Sequence, residues 1–387
     1  MKLSNDNEKD LENAKHFQKK LLIATDNFLP RWDGIARFLS ELIPRLKEYK
    51  ITVICPDFGN VSMEDVEIIK IPLSKLKIGD YTAAKFKPKI IKEKCKEADI
   101  IFTQTIGPIG LLAIWYGKKY KKPIISYIHS LEWELVTKSA ALTGIKNFFI
   151  YNLIKLVAWF FYNKSTLLIT PSPEVAEILS WQRIKTNKSI LHMGVNINKF
   201  TPPRDKAEAK RKININPEKK VIGFVGRLGR EKDPRTLYRA FTRLKNKYNI
   251  LLLIIGGGIE ELENLFKNKE DIIWISSTDN VADYLQAMDI YVLPSLTETS
   301  SLSTMEAMSC QLAVVVTPIG YIKEYIKNNI NGLFFPRQNS YILEKKIEMV
   351  LDDKLRNKIS VNARKTIEEK FSFDRTVEAI KRVLEIY

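Results

Sequence analysis

Short apolar runs recur along this chain with room for one helix between neighbours, and that alternation limits the fold more than any other feature. "KKLLIATDNF", "ITVICP", "DIIFTQT", "PIISYIHS", "TLLITPS" and "SILHMG" fall in the first half. "VIGFVGR", "LLLIIGGG", "IIWIS", "IYVLPS", "LAVVVTP" and "GLFFP" fall in the second. These runs are continuously apolar, as expected of strands buried on both faces. The intervening segments place apolar residues at helical spacing, as in "GIARFLSELIPRLKEY". Buried strands alternating with helices build parallel sheets covered on both sides. At 387 residues the chain is long for one core, and the polar stretch "TPPRDKAEAKRKININPEKK" divides the two series. The expected fold class is α/β: two doubly wound parallel-sheet domains facing across a cleft, with ligands at the carboxyl ends of the strands.

The expected boundaries follow the same pattern. Residues 1–16 form a polar, frayed or disordered extension that does not read as a signal peptide. Residues 17–200 form the first domain, 201–219 a linker with no apolar face, and 220–365 the second domain. Residues 366–387 form a C-terminal helix returning to the first domain. Cys55, Cys95 and Cys310 are scattered, which argues for a reducing compartment and against a thiolate metal site. His16, His129 and His192 are equally dispersed, so a zinc site is hard to assemble. The net charge of +17 is concentrated in the first half, most densely in "KIPLSKLKIGDYTAAKFKPKIIKEKCK", with nine lysines against Asp80 and Glu93. An anionic membrane surface and a plain lysine bias both account for it. Nucleic acid is not expected, because no binding module accompanies the charge. "FFIYNLIKLVAWFFY" is too short to span a bilayer. It reads first as a buried crossover helix and second as a membrane-surface segment.

Two segments carry the chemistry. "PSLTETSSLSTMEAMS" sets Glu298 and Glu306 in a loop that runs from a strand end into a helix. "GFVGRLGREKDP" follows another strand, where Gly226 permits close backbone approach and Arg227 and Lys232 offer cations. Such cations suit a diphosphate leaving group. The chain has no Asp-x-Asp pair to clamp a divalent ion, and neither GxGxxG nor GxxxxGK[ST]. Taken singly, each residue has an ordinary structural reading: Glu306 an acid in a first helical turn, Glu298 and Arg227 solvated surface residues, His129 a hydrogen-bonded core histidine.

Their order changes that reading. "HMGVNINKFTPP", "FVGRLGREKDP", "LLLIIGGG", "AMDIYVLPSLTETSSLSTMEAMS" and "KNNINGLFFPRQN" together resemble the retaining glycosyltransferases of family 4, which have the GT-B fold of two Rossmann-like domains. The resemblance covers residues 20–375. It implies Glu298 at the donor sugar, Glu306 on the nucleotide ribose, and Arg227 and Lys232 on the diphosphate. It further implies Gly34, in "DNFLPRWDGIARFL", close to donor and acceptor, and His129, in "YIHSLEWE", near the sugar as a catalytic residue beside Glu298. Gly226, Ser301 and Leu302 complete the implied donor site. The chemistry agrees: a carboxylate accepts hydrogen bonds from vicinal hydroxyls, and a negative charge stabilises an oxocarbenium-like transition state.

The chain departs from the family where many members have "EGFGLPLLE" and this one has "ETSSLSTME". The glycines let backbone amides approach the donor; here Ser300 and Ser301 still offer backbone N–H groups, and their hydroxyls add adaptable partners. Thr299 resembles the variant of membrane-associated diacylglycerol glucosyltransferases, and "HSLEWELVTKSAAL" resembles their acidic, aromatic stretch after the histidine. The expected activity is hexose transfer from a UDP- or GDP-sugar, a co-substrate, with no cofactor and no metal. The acceptor is expected to be a membrane lipid or lipid-linked glycan, reached from the cytoplasm by peripheral contact with an anionic membrane. A soluble acceptor, a non-catalytic nucleotide-sugar binder and a nucleotide-sugar epimerase are the rival readings.

Overall fold

The computed structural model describes residues 18–31, 33–78, 81–139, 144–278, 280–298 and 300–387. The extension expected over residues 1–16 lies outside them. The first sheet comprises β1 (Lys19–Ala24), β2 (Tyr49–Pro56), β3 (Val66–Ile71), β6 (Ile100–Thr103), β7 (Ile124–Tyr127), β8 (Leu167–Thr170) and β9 (Lys188–Ile190). A separate antiparallel pair, β4 (Leu73–Ile78) and β5 (Tyr81–Ala84), interrupts the series. The second sheet comprises β10 (Lys220–Val225), β11 (Ile250–Ile255), β12 (Ile272–Ile275), β13 (Ile290–Leu293), β14 (Ala313–Val316) and β15 (Leu333–Phe334). The strand orders are β3-β2-β1-β6-β7-β8-β9 and β12-β11-β10-β13-β14-β15, and every pairing in both sheets is parallel. Strand order therefore reverses between β1 and β6 in the first sheet and between β10 and β13 in the second. Those reversals open the crevices in which doubly wound sheets bind ligands.

Alternate side chains of β1 go to opposite faces. Leu21 and Ile23 pack with the helices Gly34–Leu42 and Phe373–Glu385, while Leu22 and Ala24 pack with Pro88–Glu97 and Pro108–Lys119. In the second domain the strand interiors join one buried cluster with residues of the helices Pro234–Leu244, Leu302–Ser309, Ser340–Leu351 and Asp353–Lys370.

Three elements differ from the sequence expectation. The polar stretch 201–219 is more than a connector: it contains the helix Lys206–Lys212 and buries Ile215 in the second core. Its buried Lys210 ammonium reaches Asp289 at 2.8 Å and the Lys219 carbonyl at 2.8 Å, which explains how a charged segment can dock. The C-terminal segment is two helices, with the chain turning at Phe371–Ser372 before the last one starts. The apolar run 148–162 lies in the helix Gly144–Tyr162, which is not a buried crossover: Ala158 and Tyr162 face the core, while Phe148, Phe149, Leu153 and Leu156 are each 59–64% exposed.

Two segments that pass between the domains cross and are stitched together. Val195 N donates to Phe371 O at 2.8 Å, and Phe373 N donates to Val195 O at 2.8 Å. A Cβ on Gly194 would stand 2.3 Å from the Ser372 carbonyl oxygen, so only glycine allows the two crossing segments to lie this close.

Candidate active site

The second crevice is built from the loops that follow β10 and β13. Gly226, at the end of β10, has φ +153 and turns the chain out of the sheet. Gly256 follows β11 with φ +132, and a Cβ there would meet the Gly226 carbonyl oxygen at 2.1 Å. The chain then makes the short turn Arg230–Lys232 and enters the helix Pro234–Leu244. Asp233 caps that helix from a left-handed conformation, φ 46, and its carboxylate accepts from the Thr236 hydroxyl at 2.6 Å. Leu296 N, in the loop after β13, donates to Glu231 O at 2.7 Å and fastens the two loops together.

This scaffold brings the expected acids and bases into contact. Lys232 Nζ lies 2.5 Å from Glu298 Oε1, which also accepts from Ser295 Oγ at 2.8 Å. Arg227 pairs with the buried Glu231. Each of these cations therefore holds a carboxylate that an arriving anion would have to replace. Glu306 lies on the helix Leu302–Ser309 and is 3% exposed. It forms an ion pair with Arg37, from the first domain's helix Gly34–Leu42. Burial lowers the Arg37 guanidinium to about 10, with Glu41 and Tyr291 acting in the opposite direction, so it stays cationic at neutral pH. Leu302 touches the buried clusters of both domains and sits where the two meet.

Ser301, which stands where the family motif has a glycine, carries a structural cost. Ser301 has φ 54, a left-handed conformation that disfavours a side chain by about 1 kcal/mol. Its hydroxyl is held by Thr304 Oγ1 at 2.9 Å, and the preceding Ser300 carbonyl accepts from Tyr325 OH at 3.0 Å. Ser300 Oγ is buried without a hydrogen-bond partner. Thr299 lies outside the described residues.

The first domain contributes residues from the ends of β1, β6 and β7. Gly34 opens its helix, capped by Asp33, whose Oδ1 accepts from Ile35 N and Ala36 N at 2.9 Å. A Cβ at Gly34 would meet nothing within 4 Å, so that backbone borders open space. His129 follows β7, and its Nε2 lies 2.8 Å from Gln104 Oε1 at the end of β6. Burial lowers the imidazole to about 3, so it is neutral at physiological pH. With Nε2 donating to Gln104, His129 Nδ1 is a bare acceptor, and it is buried without a partner. Such an atom suits a sugar hydroxyl better than a proton relay. The helix after His129, Glu132–Ser139, approaches the Arg230–Lys232 turn across the cleft.

Sequence reasoning missed Arg37, Gln104 and Asp26. Buried Asp26 accepts from Ile109 N at 2.9 Å, Gly110 N at 3.1 Å and Thr105 Oγ1 at 2.7 Å, joining the β1 loop to the helix after β6. Burial raises its carboxyl group above the usual range, against those hydrogen bonds. The only sequence signal for Arg37 was its place one turn after Gly34. Among the described residues, no group of three His, Cys, Asp or Glu side chains is placed to hold a metal ion.

Glycosyltransferase Family 4 matches residues 32–199, and Glycosyl transferases group 1 matches residues 205–366. The chain belongs to this glycosyltransferase family. Group 1 glycosyltransferases of family 4 are retaining enzymes that move a sugar from a nucleotide sugar, and this protein is one of them. It is 25% identical over 329 residues to the alpha-monoglucosyldiacylglycerol synthase of Streptococcus pneumoniae, covering 80% of this chain and 74% of that protein. It is 29% identical over 373 residues to the N,N'-diacetylbacillosaminyl-diphospho-undecaprenol alpha-1,3-N-acetylgalactosaminyltransferase of Campylobacter jejuni, covering 92% and 95%. The glycosyltransferase fold is shared with Anabaena HepE in complex with UDP-glucose, at TM-score 0.73 and 15% identity over 95% of this chain and 100% of that one.

Proposed function

We propose that this glycosyltransferase moves a hexose from a UDP-sugar, or failing that a GDP-sugar, to a lipid or lipid-linked acceptor at an anionic membrane surface. The observation that carries the acceptor is the helix Gly144–Tyr162. Ile145, Phe148, Phe149, Leu153 and Leu156 all stand more than half exposed on it, an apolar face of the kind that seats in a membrane interface. The helix Pro108–Lys119 lies between it and the lysine-bearing helix Pro88–Glu97, all on one side of the first sheet. Among the described residues no helix is long and apolar enough to cross a membrane. Two relatives, one a synthase of a monoglucosyldiacylglycerol and one a transferase for a diphospho-undecaprenol sugar, support an acceptor of this class. The UDP-glucose complex of Anabaena HepE supports the nucleotide.

In this reading Arg227 and Lys232 take the diphosphate, Glu298 faces the sugar, Glu306 holds the ribose, and Gly34, Gly226, Ser301 and Leu302 shape the donor pocket. His129 Nδ1 accepts a sugar hydroxyl. The protein acts from the cytoplasmic side as a peripheral enzyme. The deciding assay incubates it with a panel of nucleotide sugars, with and without membrane lipid extract, and follows nucleotide release and labelled product. Release that depends on lipid supports the reading; transfer to a soluble polyol, sugar phosphate or glucan alone overturns the acceptor.

Two further results are expected. Transfer persists in EDTA, because Arg227 and Lys232 supply the cations that an Asp-x-Asp metal clamp supplies elsewhere. Activity lost to EDTA and restored by magnesium or manganese contradicts this. Reversing the charge of the exposed Lys85, Lys87 and Lys89 weakens flotation with anionic liposomes, most clearly at low salt. Each lysine contributes about 1 kcal/mol near such a surface, so the triple reversal is a large change. Undiminished flotation would place the contact elsewhere.

A further inference from the structure

The ion pair between Arg37 and Glu306 joins the two domains at the carboxylate assigned to the nucleotide. Glu306 comes from the second domain and Arg37 from the first, and both are buried or nearly so. The carboxylate has two oxygens with different surroundings. Oε1 is engaged by Arg37, while Oε2 is buried with no hydrogen-bond partner. A buried carboxylate oxygen without a partner is costly, so it marks a place where a donor is expected. The guanidinium is itself fixed: its helix is capped by Asp33, and the Arg37 group lies 6.0 Å from the centroid of the Phe200 ring, on the segment that leads into the second domain.

We infer that Arg37 is a positioning residue for nucleotide recognition: by holding Glu306 Oε1 from across the cleft, it aims Oε2 at a ribose hydroxyl. This inference rests on the assignment of Glu306 to the ribose. It adds a residue from the opposite domain and a direction for the carboxylate. Sensing of the ribose is then possible only when the domains are together, because half of the arrangement belongs to each.

The test measures affinity by calorimetry for UDP and 2′-deoxy-UDP, and for GDP and 2′-deoxy-GDP. The protein variants are wild type, Arg37→Met, Arg37→Gln, Arg37→Lys and Glu306→Ala. Wild type is expected to prefer the ribonucleotide by at least about tenfold, the scale of one hydrogen bond to a charged group. Glu306→Ala removes that preference. Arg37→Met reduces it severalfold, and Arg37→Lys restores part of it. Arg37→Gln gives the same comparison should the methionine variant fail to fold. A strut that merely held the domains together would weaken ribo- and deoxyribonucleotide alike and leave their ratio unchanged. An unchanged ratio in the Arg37 variants, with the preference lost in Glu306→Ala, overturns this inference alone. An unchanged ratio in Glu306→Ala, or no binding of any of the four nucleotides to wild type, overturns the ribose assignment and this inference with it.

Discussion

Lys232→Ala lowers kcat for sugar transfer by about 10²- to 10³-fold, the range found when a preorganised charge-stabilising donor is removed. The diphosphate gains negative charge as its bond to the sugar breaks. A cation at the strand end stabilises that growing charge more than it stabilises the ground state. The fall is therefore expected in kcat more than in KM. Lys232 has a second task that makes the experiment sharper. It neutralises Glu298, whose side chain is 9% exposed and otherwise accepts from Ser295. The single variant both loses the cation and leaves a largely buried carboxylate short of a partner. Lys232→Ala combined with Glu298→Ala is consequently expected to lose much less than the product of the two single effects. Steady-state kinetics on the three variants checks this. Full multiplicativity would mean that the two side chains act independently, contrary to their 2.5 Å contact.

Glu298→Ala and Glu306→Ala are expected to fail in different ways. Glu298 faces the sugar in the proposed site, where positive charge develops only as the reaction proceeds. Its loss lowers kcat and leaves binding of the free nucleoside diphosphate nearly intact. In the same proposed site Glu306 is assigned to the ribose, a contact made before and during the reaction, so its loss is expected to raise KM and weaken both nucleotide sugar and free nucleotide. Each change costs about 1–3 kcal/mol, the cost of removing a buried polar contact. Calorimetric binding beside kinetics separates the two. Equal loss of nucleotide affinity in both variants would show the division of roles to be wrong.

The sheets were legible because strands buried on both faces write themselves as unbroken apolar runs, from "KKLLIATD" to "GLFFP". The β4–β5 pair was not, because its lysines alternate with apolar residues at the surface and read as a charge cluster. The helix Gly144–Tyr162 misled for the opposite reason. It is apolar nearly all round, so no periodicity distinguishes the side that meets the core from the side that does not. At the candidate site, Glu298 and Glu306 could be singled out through the family resemblance, because they lie within one continuous loop and helix. Arg37 could not be linked to Glu306, since their pairing depends on how two separate domains meet. Gln104 beside His129 depends likewise on β6 and β7 being neighbours, which linear order alone does not specify. The left-handed Ser301 makes sense of the family's glycine preference there, but only once its φ of 54 is known.

The place where Val195 bridges Phe371 and Phe373 also determines the order in which the polypeptide can be assembled. The second core is contiguous in the chain, closing between Val195 and Phe371. The first is not, since Phe373, Val377, Ile380, Val383 and Leu384 fill one side of its sheet. During synthesis from the amino terminus, the domain that is made first must wait for residues 373–384 to emerge before its core is complete, while the domain made second can close ahead of it. A stop codon in place of Phe373 would spare every residue of the proposed donor site and still strip the opposite domain of the helix that seals it.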